Sequence, residues 1–97
     1  MKNQLTIIAK ILAKTEFTEL IKDELLKLVE SSRTDKGCIN YTLLQDNTDL
    51  NSFVVYENWE NDTALEKHLE TDHFKTFTAA THAKLIEFAV NKMTTLS

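Results

Sequence analysis

From Leu5 to Ala13 every odd position is apolar (Leu5, Ile7, Ala9, Ile11 and Ala13), whereas the even positions mix Thr6, Ile8, Lys10 and Leu12. A period of two with one wholly apolar face predicts a strand. The period then lengthens: Phe17, Leu20, Ile21, Leu25, Leu28 and Val29 recur at three- and four-residue spacing, which predicts a helix. Thr15 is the expected cap and Glu16 and Glu19 suit the first turn, while Arg33, Lys36 and Gly37 form a stop signal. Alternation returns from Cys38 to Gln45 and again from Ser52 to Trp59, separated by the polar stretch Asp46 to Asn51, so these segments read as a hairpin. Asn61 caps a second helical stretch, Thr63 to Leu69, and Thr71-Asp72 forms a second cap that restarts helix from His73 to about Ala83. Leu85 to Met93 closes the chain as a fourth strand, with Ile86, Phe88 and Val90 alternating against Glu87, Ala89 and Asn91.

The order β-α-β-β-α-β predicts an α+β fold of the ferredoxin-like kind, a four-stranded antiparallel sheet with two helices on one face. The other face is left bare. Its expected side chains, Ile8 and Leu12, or Phe53 and Val55, are too apolar to stand in water. A second copy is the simplest cover, so a homodimer is expected, with a pocket between sheet and helices.

Composition narrows the setting. The 97 residues include one glycine and no proline, so nothing marks a linker and residues 1–97 read as one domain. The net charge of -4 argues against a nucleic-acid partner, because phosphates call for a basic face. Arg33 is the sole arginine, which leaves few candidates for bidentate clamping of phosphate or carboxylate. Cys38 has no cysteine to pair with, as expected of a reducing compartment. Lys10 interrupts the apolar run after Met1-Lys2 and no small-residue cleavage site follows; the chain is therefore read as cytoplasmic and mature from Met1. No segment supplies the roughly twenty apolar residues of a membrane span.

Three motifs, taken in order, resemble a known family. They are Gly37-Cys38-Ile39-Asn40-Tyr41, then Val55-Tyr56-Glu57-Asn58-Trp59, then His68 followed by Asp72-His73-Phe74. Across nearly the whole chain this resembles the antibiotic-biosynthesis-monooxygenase domain family. Its pattern is an acidic-residue-plus-Gly-Cys turn, a Tyr-Glu-x-Trp strand end, and two histidines five residues apart. The resemblance implies a dimeric α+β barrel and a small-molecule substrate, with chemistry that varies between branches. The haem-degrading branch is rejected because it calls for a first-strand asparagine that this chain lacks. The actinorhodin-type residues find a match only in Trp59. Leu44-Gln45-Asp46, Tyr56-Glu57 and the histidine spacing are most similar to quinol-monooxygenase-like proteins and to a dione isomerase of the autoinducer-2 breakdown type.

Cofactor-free oxygenation needs a base to deprotonate an electron-rich phenol or quinol in a dry cavity. His68 and His73 suit that role. They straddle the expected helix break, which can aim both rings at one pocket, whereas a regular helix would set them about 140° apart. The plainer reading makes His68 amphipathic filler beside Leu65 and Leu69, and His73 a first-turn residue. Glu57 shares a strand face with Trp59, Phe53 and Val55, so it could orient a histidine while Trp59 stacks on a flat substrate; otherwise Trp59 is core and Glu57 pairs with a lysine at a dimer rim. Tyr41, Tyr56 and Asn40 are further substrate-binding candidates, and Tyr41 and Tyr56 are chiefly core aromatics. His82 reads as exposed, and Cys38 as a buried, inert thiol. Two histidines five apart without a cysteine pair match no common metal site. No Gly-rich phosphate loop or dinucleotide fingerprint occurs, so no cofactor is expected. The expected activity is a cofactor-independent monooxygenase of a small quinol. Its rivals are the dione isomerase, with Lys10 as its only candidate phosphate ligand, and a non-catalytic small-molecule-binding dimer.

Overall fold

The computed structural model describes residues 4–97; the expectation about Met1 and Lys2 lies outside that range. The elements are β1 (Leu5–Ala13), a 3₁₀ turn (Thr15–Phe17), α1 (Thr18–Ser32), β2 (Cys38–Gln45), β3 (Ser52–Trp59), α2 (Asp62–Leu69), α3 (Asp72–Thr81) and β4 (Leu85–Met93). The strands form one sheet in the order β2-β3-β1-β4, with every adjacent pair antiparallel. This is the ferredoxin-like arrangement, with the helices on one face.

The period-two pattern decides which side chains meet those helices. Ile7, Ala9, Ile11 and Ala13 of β1 are buried, together with Phe53, Val55, Glu57 and Trp59 of β3. Against them α1 lays Ile21, Leu25, Leu28 and Val29, and α3 lays Phe77. Each large apolar side chain removed from water in this way contributes roughly 2 kcal/mol. Phe53 and Val55 therefore belong to the covered face, not to the bare one as expected. Register fixes this, since Phe53 pairs with Ile11 and Val55 with Ala9, and directly paired residues point to the same side. The bare face carries Ile8, Lys10 and Leu12 of β1 with Val54, Tyr56 and Asn58 of β3. A polar ladder crosses it: Thr6 Oγ1 donates to Asn58 Oδ1 at 2.6 Å, and Asn58 Nδ2 donates to Asn40 Oδ1 at 2.8 Å.

Capping sets where the second helical region breaks. Asn61 accepts from the Ala64 N–H, and the Thr71 hydroxyl accepts from the Phe74 N–H, so two separate N-termini are satisfied within a dozen residues. The expected Thr15 cap is not formed. Thr15 starts the 3₁₀ turn, and α1 begins at Thr18 with no side-chain cap. Between α1 and β2 the chain turns on Gly37, whose φ of +86° favours glycine; a Cβ there would lie 2.5 Å from Ala64 Cβ. That close approach docks the start of α2 on the turn before β2. Among the described residues no helix is long and apolar enough to cross a membrane.

Candidate active site

Three elements bring ionisable side chains to one end of the sheet. His68 lies in the last turn of α2, His73 in the first turn of α3, and Asp35 in the turn after α1. His68 Nδ1 stands 2.8 Å from Asp35 Oδ2, and His73 Nε2 stands 2.9 Å from the same oxygen. A carboxylate oxygen only accepts, so each ring donates its proton to Asp35. This fixes the His68 tautomer with hydrogen on Nδ1 and leaves Nε2 with a free lone pair. Nε2 takes no other hydrogen bond among the described residues.

Aromatic rings enclose His68. Its centroid lies 4.7 Å from that of Trp59, 5.2 Å from Phe74 and 5.5 Å from Tyr41. The imidazole is only 2 % exposed, and this burial lowers its pKa against the opposing pull of Asp35. His68 is therefore a neutral, oriented imidazole at neutral pH. His73 keeps 26 % of its side chain exposed and links the group to solvent.

Glu57 is the second acid of the site, and it is buried. Strand pairing sets it beside Tyr41 on one flank and Ile7 on the other. The Trp59 indole N–H donates to its Oε1 at 2.8 Å. Burial outweighs that bond and pushes the carboxyl up to about 7, so Glu57 can hold or release a proton near neutrality. Burial likewise pushes the Tyr41 phenol above its ordinary range.

Glu57, His68 and Tyr41 line a small apolar cavity between sheet and helices, closed by Leu65, Phe74, Phe77 and Phe88. Its volume of about 20 Å³ holds roughly one water. Trp59 and His73 stand behind this lining. The expectation that Asn40 and Tyr56 reach the same ligand fails within one chain. Asn40 pairs with Asn58 and Tyr56 with Ile8, which puts both on the bare face. Lys10, expected as a phosphate ligand, is exposed on that face too. Among the described residues no lysine or arginine lines the cavity. Arg33 instead donates to the Tyr41 carbonyl at 3.0 Å.

The sequence reading missed Asp35. It sits within the acidic-residue-plus-Gly-Cys turn, yet nothing local shows that this turn meets two histidines more than thirty residues away. The split βαβ topology could have shown it, because the start of β2 and the end of the second helical region fall at the same sheet end. Asp35 also completes a group of three metal-ligating side chains whose donor atoms lie within 4.8 Å of one another, a grouping that the spacing of the two histidines alone does not reveal.

Residues 4–80 match the antibiotic biosynthesis monooxygenase family. The chain belongs to that family. The crystal structure of PA3566 from Pseudomonas aeruginosa superposes with a TM-score of 0.94 at 37 % identity, over 100 % of this chain and 98 % of that one. YcnE of Bacillus subtilis, provisionally named a monooxygenase, is 37 % identical over 71 residues, 73 % of this chain and 75 % of its own. YgiN of Escherichia coli, provisionally named a quinol monooxygenase, is 27 % identical over 96 residues, covering 89 % of this chain and 92 % of YgiN. A longer uncharacterized Synechocystis protein, sll1783, is 40 % identical over 60 residues, and the match takes in 58 % of this chain and 41 % of that protein. A monooxygenase-like role follows for this chain from its family and these relatives.

Proposed function

We propose that this domain is a cofactor-independent monooxygenase of a small quinol or related phenol, working as a cytoplasmic homodimer, with His68 as the general base and Asp35 as its orienting carboxylate. The observation that carries the reading is the shared Asp35 Oδ2, which holds through Nδ1 a His68 that lines an apolar cavity and leaves its Nε2 lone pair free. Removal of a phenolic proton by Nε2 makes an anion electron-rich enough to reduce oxygen, and the aromatic enclosure keeps water from protonating it again. The stoichiometry closes without an outside reductant: a quinol and one O₂ give a hydroxyquinone and one water, and the quinol supplies all four electrons. Glu57, titrating near 7, can relay the second proton. His73 holds Asp35 from its other side and offers a path to solvent, while Tyr41 supplies a flat surface for the substrate ring and Trp59 backs the His68 imidazole.

Room for that ring has to be made, since one chain encloses space for about one water. Phe74 and Phe88 at the cavity wall are the side chains whose rotation would open it. A phosphorylated dione is a poorer fit, because among the described residues the lining is apolar apart from Tyr41, Glu57 and His68 and offers no lysine or arginine.

Oxygen consumption by chelator-treated protein, supplied with a panel of benzene- and naphthalene-diols, tests the proposal. Uptake above the protein-free rate is expected, falling about 10²- to 10⁴-fold in His68→Ala. Absence of uptake with every diol overturns it, and uptake that requires added iron overturns the cofactor-free part. Exchange of a carbon-bound proton without uptake would move the assignment to the isomerase. Tight binding alone would move it to a carrier.

A further inference from the structure

We propose that Asp35, His68 and His73 form a site for a first-row transition-metal dication such as zinc, and that its occupancy switches off the base at His68. The first half stands on geometry alone; the second rests on the reading of His68 as the base.

Two imidazole nitrogens and one carboxylate oxygen are a common donor set for zinc and its neighbours in the first transition row. Here they come from three different elements and already converge, with the nitrogens 2.8 and 2.9 Å from Oδ2 and every donor pair within 4.8 Å. A tetrahedral zinc sets its donors roughly 3.3 Å apart. The two Asp–His separations must therefore open by about 0.5 Å, and the imidazoles must close by up to about 1.5 Å. His73 can supply that movement, being partly exposed at the first turn of α3. The same exposure gives an ion its way in, and three protein donors leave one coordination position open. The rings around His68 form an apolar shell that limits the access of water to that side of the site.

The switch follows from the tautomers. In the metal-free triad Asp35 accepts Nδ1–H of His68 and Nε2–H of His73. A metal takes both of those lone pairs, so a neutral His68 must then carry its proton on Nε2. The nitrogen that was an acceptor becomes a donor and can no longer take a proton from a phenol.

Calorimetric titration of chelator-stripped protein with zinc chloride tests the site. One ion per chain is expected, with affinity reduced at least about tenfold in His73→Ala and unchanged in His82→Ala, which removes the exposed histidine outside the triad. Far-ultraviolet circular dichroism confirms that each variant is folded, and Asp35→Asn provides a second disruption of the site. No saturable binding, or binding that survives His73→Ala, overturns the proposal. Imidazole ¹⁵N spectra read the switch without turnover: the His68 proton should move from Nδ1 to Nε2 on zinc loading, and a proton that stays on Nδ1 refutes it. Where diol-dependent oxygen uptake is found, zinc saturation should abolish it, and uptake unchanged or raised at full occupancy also refutes the switch. Stripped protein that consumes no oxygen sinks the base assignment and the inhibition with it, while the titration still decides whether the metal site exists.

Discussion

At the scale of single residues, the site depends on two acids held in opposite ways. Asp35 receives two imidazole N–H groups, whereas Glu57, among the described residues, receives the Trp59 indole N–H alone. Removing the Asp35 charge should therefore act through His68 and not through substrate contacts. Asp35→Asn is expected to lower kcat about 10- to 100-fold with little change in KM, read from diol-dependent oxygen uptake; a fall confined to KM would contradict the positioning role. Glu57 makes a prediction about stability. Its folded pKa of about 7 lies above the ordinary 4.5, so its contribution is intact below about pH 4.5 and is lost as pH rises through 7. A shift of that size corresponds to about 3 kcal/mol. Glu57→Gln keeps an oxygen for the indole and sheds the buried charge. Urea denaturation should show it more stable than the parent by up to about 3 kcal/mol at pH 8, with the difference vanishing at pH 4. An equal difference at both pH values would assign the effect to packing.

At the scale of elements, turns and caps place the site, and they differ in how legible they are in a sequence. Strand and helix order could be read directly, because the period of two or 3.6 survives even where edge residues such as Ile86, 65 % exposed, break the burial pattern. The split in the second helical region was equally legible, since Asn61 and Thr71 are cap residues by chemistry. Which face of β3 meets the helices was not, because Val54 and Val55 are both apolar and only pairing with β1 separates them. Asn40 and Tyr56 were misplaced for the same reason, as one step along a strand reverses the side chain. Gly37 marks where local signal and tertiary role coincide: its φ of +86° ends the turn, and its missing Cβ lets Ala64 approach. Gly37→Ala must strain the backbone and push α2 away, at a cost of about 2 kcal/mol or more. Thermal unfolding should show the loss, and because α2 carries His68 the variant should also lose activity at temperatures where it remains folded. A variant with unchanged melting temperature would show that this contact is slack.

At the scale of the whole molecule, the bare sheet face is the unfinished part of the structure. Ile8, Leu12, Val54 and Tyr56 lie on it around the Thr6–Asn58–Asn40 ladder, and Tyr56 and Leu44 are 41 % and 52 % exposed. Four strands at about 4.8 Å spacing and eight residues at about 3.3 Å rise make a face of roughly 500 Å². Two copies packed face to face would bury about 1,000 Å², the lower bound for a specific interface. A ladder of paired amides and hydroxyls can enter such an interface without leaving polar groups unsatisfied, and it sets a register that bare hydrophobes would not. Tyr56 is the residue to change, being central in the sheet and remote from His68. A glutamate there, repeated in both copies, would bury two like charges and cost several kcal/mol of association. Tyr56→Glu is expected to sediment as a monomer at concentrations where the parent is a dimer, and to keep its helical circular dichroism. A parent chain that sediments as a monomer at micromolar concentration would remove the case for a covering copy. The apolar face would then have to be explained by a partner of another kind.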